Sequence, residues 1–294
     1  MQTTMEREWK RERSASEASG APVQKLSHAL VELFRSKIAS GELQPGDTLL
    51  PEAELLQQLH VSRPTLRQAL RVLESESLIR LGRGARSGAT VLRPSIEAAA
   101  QHGALYLATE GATLAEIHHV RTLLEPPIAA LVARRARTDQ RAAASLQECV
   151  RTQQEALRRG DYVAAASAVN EFHGRLERLS DNRALGLFAG MLNEIAVNVY
   201  PQIPLASSNA KDRRHIWRRS EESTEAHAKL VVLIAAGKAE AAEKFWRSYM
   251  LDTADFMEKN GLATLRVVAP RANLGSQPGL FGSRNPGAIR LRSS

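Results

Sequence analysis

The sequence predicts a mainly α-helical protein in two parts. A small N-terminal unit of three helices and a two-stranded hairpin is followed by an all-helical bundle of six or seven helices. Three observations carry this prediction. Apolar residues recur at three- and four-residue steps through most of the chain. Aromatic residues are only 4% of the sequence while Ala and Leu abound, which suits helices packed on aliphatic side chains. Strand-like runs are confined to two short stretches before residue 93.

In chain order, residues 1–20 are rich in Glu, Arg and Ser and read as a disordered arm. From Pro22, the residues Leu26, Leu30, Leu33, Phe34 and Ile38 mark a helix that stops at Ser40-Gly41, and Pro45-Gly46-Asp47 makes a turn. A second helix is expected from about 52 to 59. His60-Val61-Ser62 then leads tightly into a third, from 63 to about 75. Two strand candidates, 78–81 and 89–92, flank a loop rich in Gly and Arg (82–88), which describes a wing. These elements make residues 21–93 a winged helix-turn-helix. Residues 94–102 read as a linker and 103–260 as the helical bundle. Residues 261–294, loaded with Gly, Pro, Ser and Arg, read as a disordered tail.

The formal charge is +8, unevenly spread. Residues 21–95 carry +3, residues 96–260 are neutral, and 261–294 hold five arginines and no acid. The basic balance therefore belongs mostly to the tail, which is able to touch phosphates nonspecifically but equally serves as solvated chain. The single cysteine, Cys149, excludes an intrachain disulfide and cysteine-rich zinc motifs. No apolar run spans a bilayer and the first ten residues lack the apolar core of a secretory signal, so a cytoplasmic protein is expected.

The third helix has the two faces a DNA reader requires. Leu66, Ala69, Leu70 and Leu73 form an apolar stripe, whereas Arg67, Gln68 and Arg71 fall on the other side with Arg63 at the N-terminal end. Ser62 is placed to cap that end, and Pro64 in the first turn removes no internal hydrogen bond. Arginine suits this role because its planar fork grips guanine edges or phosphate with two hydrogen bonds. A merely solvated basic face fits the spacing equally well.

The order of motifs adds to this. The run "LPEAELLQQLHVSRPTLRQAL", with the Pro-Gly-Asp turn before it and the Gly-rich wing after it, resembles the winged helix of the GntR family over residues 41–93. The resemblance implies operator contacts from Arg63 and Arg67, a backbone contact from Thr65, and a minor-groove approach by the wing at Arg83 and Gly84. Many members carry an arginine in the second helix; Ala53 stands there in this chain.

The helical body resembles the ligand-binding domain of the FadR branch of that family, often called FCD, through "TLAEIHHVRTLLEPPIAALVARRA" (113–136) and "NEFHGRLERLSDNRAL" (170–185). Many such domains bind a divalent metal through one Asp and three His. Here His173 and His227 match two ligands, but Val169 and Tyr249 stand at the other two, so no metal cofactor is expected and the two histidines are only weak candidates. Arg121 matches an arginine that faces the pocket, where it meets an effector acid or, alternatively, pairs with Glu125 four residues on.

The resemblance implies a transcription regulator, not an enzyme, that binds palindromic operator DNA as a homodimer and represses until an effector binds. The pocket residues Arg121, Val169, His173, His227 and Tyr249 favour a fatty acyl-CoA or another lipid-derived acid. The alternative is a metal-dependent sensor of a small carboxylate. An all-helical enzyme built on His173 and His227 is the remaining rival; no Gly-rich phosphate loop, nucleophile elbow or His-Glu-x-x-His motif supports it.

Overall fold

A computed structural model of the chain describes residues 23–82, 88–199 and 210–269. The expectations for the N-terminal arm, the wing tip and most of the basic tail lie outside these residues.

Three helices build the N-terminal unit: α1 (Val23–Ser40), α2 (Glu52–Leu59) and α3 (Arg63–Ser75). Their apolar stripes meet in one core, with Leu30, Phe34, Leu59, Leu66 and Leu73 fully buried. That burial, worth roughly 1.5–3 kcal/mol per side chain, fixes the helices against one another. Between α2 and α3 the chain turns sharply at His60, whose φ of 50° ends α2 in a left-handed cap. Ser62 then starts α3, its Oγ accepting the Thr65 N–H at 3.3 Å, with Pro64 in the first turn.

The hairpin follows. Strands β1 (Ile79–Leu81) and β2 (Ala89–Val91) are antiparallel, with Ile79 opposite Val91 and Leu81 opposite Ala89. Ile79, Ala89 and Val91 point into the helical core. The other edge of β2 is taken by the turn before α2: Val91 N–H donates to Asp47 O at 2.8 Å and Leu49 N–H to Ala89 O at 2.7 Å. Gly88 sits at this junction, where a Cβ would lie 2.0 Å from the Leu49 carbonyl oxygen.

Among the described residues seven helices follow: α4 (Ile96–Thr109), α5 (Leu114–Ala136), α6 (Arg141–Arg158), α7 (Tyr162–Arg178), α8 (Arg183–Val199), α9 (Ala210–Ala235) and α10 (Ala239–Lys259). Helix α5 is the central element, packing against α6, α7, α8, α9 and α10. Its buried residues cover most of its circumference, so it shows no amphipathic stripe. Thr113 opens it with a capping box: its Oγ1 takes the Glu116 N–H at 3.3 Å while Glu116 Oε2 takes the Thr113 N–H at 2.7 Å. The main core, including Ile128, Val132, Leu146, Phe172, Leu176, Leu230 and Trp246, surrounds it. No helix among the described residues is long and apolar enough to cross a membrane.

Two boundaries differ from the sequence expectation. The segment 94–102 is not an open linker: Ser95 caps a helix at Ile96, its Oγ accepting the Ala98 N–H at 3.2 Å, and Ala100 and Ala104 are buried. Structure also continues past 260. Leu114 N–H donates to Leu265 O at 2.7 Å and Val267 N–H to Ala112 O at 2.8 Å. Leu262, Leu265 and Val267 thereby pack with Ile117, Ile195 and Met257 into a second core of the bundle.

Replacing Ser62 by Ala removes the cap of α3 and leaves the buried Thr65 hydroxyl without its 2.7 Å partner. The expected loss is about 1–2 kcal/mol, read as a lower urea midpoint, while Gln68→Ala on the exposed face leaves the midpoint unchanged.

Candidate functional site

Two regions gather chemistry-bearing side chains. The first is the outer face of α3, where Arg63, Arg67, Gln68 and Arg71 are all exposed. Glu52, in the first turn of α2, meets two of them: Arg67 Nε lies 3.1 and 3.3 Å from its carboxylate oxygens and Arg63 Nε 3.7 Å from the nearer one. Thr65 differs from its neighbours: it is 3% exposed and its hydroxyl pairs with that of Ser62. It serves the helix start rather than presenting a free hydroxyl. Ala53 is exposed on α2 and offers no side-chain contact. The expectations for Arg83 and Gly84 lie outside the described residues.

The second region is a cavity of about 210 Å³ inside the bundle, walled mainly by α5, α7, α9 and α10. Arg121, Val169, His173 and Tyr249, four of the five pocket residues expected from sequence, line it together. His227 does not. It is fully buried behind the wall, stacked on the Phe172 ring at 4.0 Å between centroids and 6° between planes. Its lining includes the apolar Leu114, Ala166, Val169, Ala196, Met250 and Met257, and a polar cluster in which Ser223 pairs with Tyr249 and Arg219 with Thr253.

Glu125 organises the wall beside this cavity. Its carboxylate is fully buried. Arg121 Nε donates to Oε1 at 2.7 Å, while His173 Nδ1 and Trp246 Nε1 donate to Oε2 at 2.8 and 3.1 Å. Burial by itself pushes the Glu125 carboxyl up, but the Arg121 guanidinium and His173 outweigh it and hold the acid ionised, well below the usual carboxylate range. Both readings of Arg121 thus have a basis: it pairs with Glu125 and it lines the cavity.

Neighbouring buried groups are held neutral. His118 Nε2–H donates to Met250 O at 2.8 Å, and burial together with the nearby Arg121 charge pushes it down to about 4. Burial and His173 likewise depress His227. Glu177 is 1% exposed, makes no side-chain hydrogen bond among the described residues, and is raised well above the ordinary carboxylate value by burial and the charge of Glu125. Both causes favour its protonated form.

A divalent metal finds too few donors here. His173 and His227 each spend Nδ1–H on an acceptor, Glu125 and Gln153 respectively, which leaves two Nε2 lone pairs. Both Glu125 oxygens are engaged, Val169 has no donor, and the Tyr249 hydroxyl pairs with Ser223 at 2.8 Å. Among the described residues no group of three His, Cys, Asp or Glu is placed to hold a metal. Zinc sites use at least three protein ligands, so these residues do not fit one.

Several members of the site escaped the sequence reading. Arg219 lines the cavity, with its guanidinium carbon 5.3 Å from the Tyr249 ring centroid and 5.1 Å from that of Phe256, and with Nη2 donating to Thr253. Nothing in its local sequence separates it from Arg218, which is exposed. His118 is buried and lines the cavity while His119 is exposed, as adjacent residues on one helix must diverge.

Both regions fall within stretches of the chain that match known families. Residues 26–91 match the family described as "Bacterial regulatory proteins, gntR family", and residues 116–252 match the FCD domain. The HTH-type transcriptional regulator LutR of Bacillus subtilis is 25% identical over 230 residues, 75% of this chain and 95% of its own length. The uncharacterized HTH-type transcriptional regulator Rv0494 of Mycobacterium tuberculosis is 31% identical over 166 residues, 56% of this chain and 65% of its own. The solved structure of Streptococcus agalactiae GntR shares the fold with a TM-score of 0.54 at 22% identity, covering 80% of this chain and all of that one.

The buried histidines set an acid limb of stability. In the folded protein His118 stays neutral down to about pH 4, whereas the unfolded chain protonates near 6.5. Its contribution is complete above that value and lost as pH falls through this window, about 3 kcal/mol in all. Thermal midpoints are expected to drop from pH 7 toward pH 5, with a shallower slope in His118→Gln. Equal slopes for the two proteins would refute the assignment.

Proposed function

Because the chain is a GntR-family transcription regulator, with a gntR-family DNA-binding domain at residues 26–91 and an FCD domain at 116–252, we propose that it is a ligand-responsive repressor. It binds a palindromic operator as a homodimer of the FadR type and leaves it when a small organic acid occupies the bundle. The observation that carries the effector reading is a cavity lined by apolar groups, by a hydroxyl cluster and by two arginines, Arg121 and Arg219.

On the DNA, Arg63, Arg67, Gln68 and Arg71 supply the contacts, since they are exposed on α3 over the turns that follow its capped start. One winged helix covers half an operator, so two-fold symmetry in the protein calls for a pair of half-sites in the DNA.

Size and charge narrow the effector. A cavity of about 210 Å³ lies below the roughly 300–1,000 Å³ typical of drug-sized ligands. It suits a short amphipathic acid and does not enclose a whole fatty acyl-CoA, the ligand that the residue changes alone favoured. The Arg121 charge is matched by fully buried Glu125 at 2.7 Å, whereas Arg219 meets only the half-exposed Glu222, at 3.5 Å. The acid group is therefore assigned to Arg219 with the hydroxyls of Ser223, Tyr249 and Thr253, and the carbon skeleton to Val169, Met250 and Met257. No divalent metal takes part in this reading, because only two imidazole nitrogens are left to offer.

For the ligand to regulate, it must bind the two poses of the DNA-reading domains with different affinity. Helices α5, α7 and α10 meet at Glu125 beside the cavity. A ligand that shifts one of them is felt by the others, and this is the physical route from pocket to domain pose.

A thermal-shift screen of short monocarboxylates, dicarboxylates with zinc, and acyl-CoAs tests the reading. Short monocarboxylates are expected to raise the midpoint and release operator DNA, with Arg219→Gln weakening both effects about tenfold while leaving operator binding by the unliganded protein intact. Stabilisation by zinc plus a dicarboxylate alone, or by acyl-CoA alone, would overturn it.

A further inference from the structure

The acid in the middle of the basic face needs a reason. Glu52 stands among Arg63, Arg67 and Arg71, on a surface expected to meet phosphate, where a carboxylate repels DNA. Its value to folding is small, because exposed ion pairs add little to stability and both arginines are more than half exposed. The geometry of the contact suggests another role. The carboxylate engages Arg67 through Nε, with both oxygens within 3.3 Å, rather than through the terminal pair. The Nη1/Nη2 edge of the guanidinium is thus left to fork a base, the edge that matches guanine N7 and O6. Arg63 approaches the same carboxylate through Nε at 3.7 Å.

We propose that Glu52 is a positioning residue for operator reading: it holds Arg67, and Arg63 beside it, with their terminal nitrogens presented to the base edges. Arginine loses much rotamer freedom on binding, and a side chain ordered beforehand loses less at the moment of contact. The arrangement matters more in this chain because Ala53 supplies no further cation from α2. Sequence discrimination then falls to the two arginines that Glu52 orders. This inference rests on the α3 face being the DNA-contacting one, and the experiment separates the two claims.

The full chain is used to select its best duplex from a random-sequence library. Binding to that duplex and to a mixed-sequence duplex of equal length is then measured for the wild type and for Glu52→Gln, Glu52→Asp, Arg67→Ala and Glu52→Gln/Arg67→Ala. The expected result for Glu52→Gln is an about tenfold loss on the selected duplex, with unchanged or tighter binding to mixed sequence. Glu52→Asp should recover part of the loss. In the Arg67→Ala background the Gln substitution should cost little more, because the group it orders is gone. Equal tightening on both duplexes would show an acid that only repels phosphate and would overturn the proposal, as would no change on either. A Gln substitution that still costs tenfold without Arg67 would also overturn it. Should Arg67→Ala bind the selected duplex like the wild type, the DNA face itself is wrongly placed and the role of Glu52 falls with it.

Discussion

The buried carboxylate of Glu125 is the constraint on which the helical domain depends. A charge removed from water costs several kcal/mol unless it is paired and hydrogen-bonded. Here the pairing is supplied by Arg121 on the same helix, His173 on α7 and Trp246 on α10. Each donor is itself part of the packed core or the cavity wall, so the requirement to satisfy one acid fixes the spacing of three helices. Burial and this negative charge together raise Glu177, while burial and the positive charge of Arg121 lower His118. The cavity therefore borders the compensated Arg121–Glu125 pair on one helix and the Arg219 guanidinium on another.

This arrangement gives the domain an internal acid hydrogen-bonded to His173, one of the two histidines that the sequence offered as metal candidates. Val169 and Tyr249 remove two donors, and the remaining imidazoles turn their Nδ1–H groups to Glu125 and Gln153. Orientation of the wall then comes from hydrogen bonds within the chain. The hydroxyl cluster of Ser223, Tyr249 and Thr253, with Arg219 beside it, supplies the polar end of the cavity. The N-terminal unit is built on a different economy of forces: an aliphatic core, one capped helix start, and a hairpin clamped between α3 and the turn before α2.

What the sequence disclosed follows from how local each signal is. Ser62, Pro64 and the apolar stripe of α3 act over three or four residues, so helix start, face and exposure were all readable. Arg121 and Glu125 are one helical turn apart, and their pairing was visible as one of two options. The convergence of Glu125 with His173 and Trp246 spans 48 and 121 residues and leaves no local trace. Arg219 and Arg218 look alike in sequence, and only the packing of α9 against α10 turns one of them inward. The segment after Pro94 looked like a linker because its Ala residues carry little hydrophobic signal, although small side chains are what let α4 approach α8 closely. The stretch after 260 was hidden for another reason: its order comes from backbone pairing with residues 112–115, which side-chain pattern does not encode.

Gly88 carries a consequence for anyone who wishes to redirect such a protein to new DNA by transplanting its hairpin loop. The joint at residue 88 is not free. A β-carbon at 88 would fall 2.0 Å from the Leu49 carbonyl oxygen, a backbone atom that cannot step aside without also breaking its strand's bond to Ala89. A donor loop must therefore end in glycine at this joint, or bring with it a matching segment from before the second helix. The portable unit is the hairpin together with residues 46–49, not the loop alone.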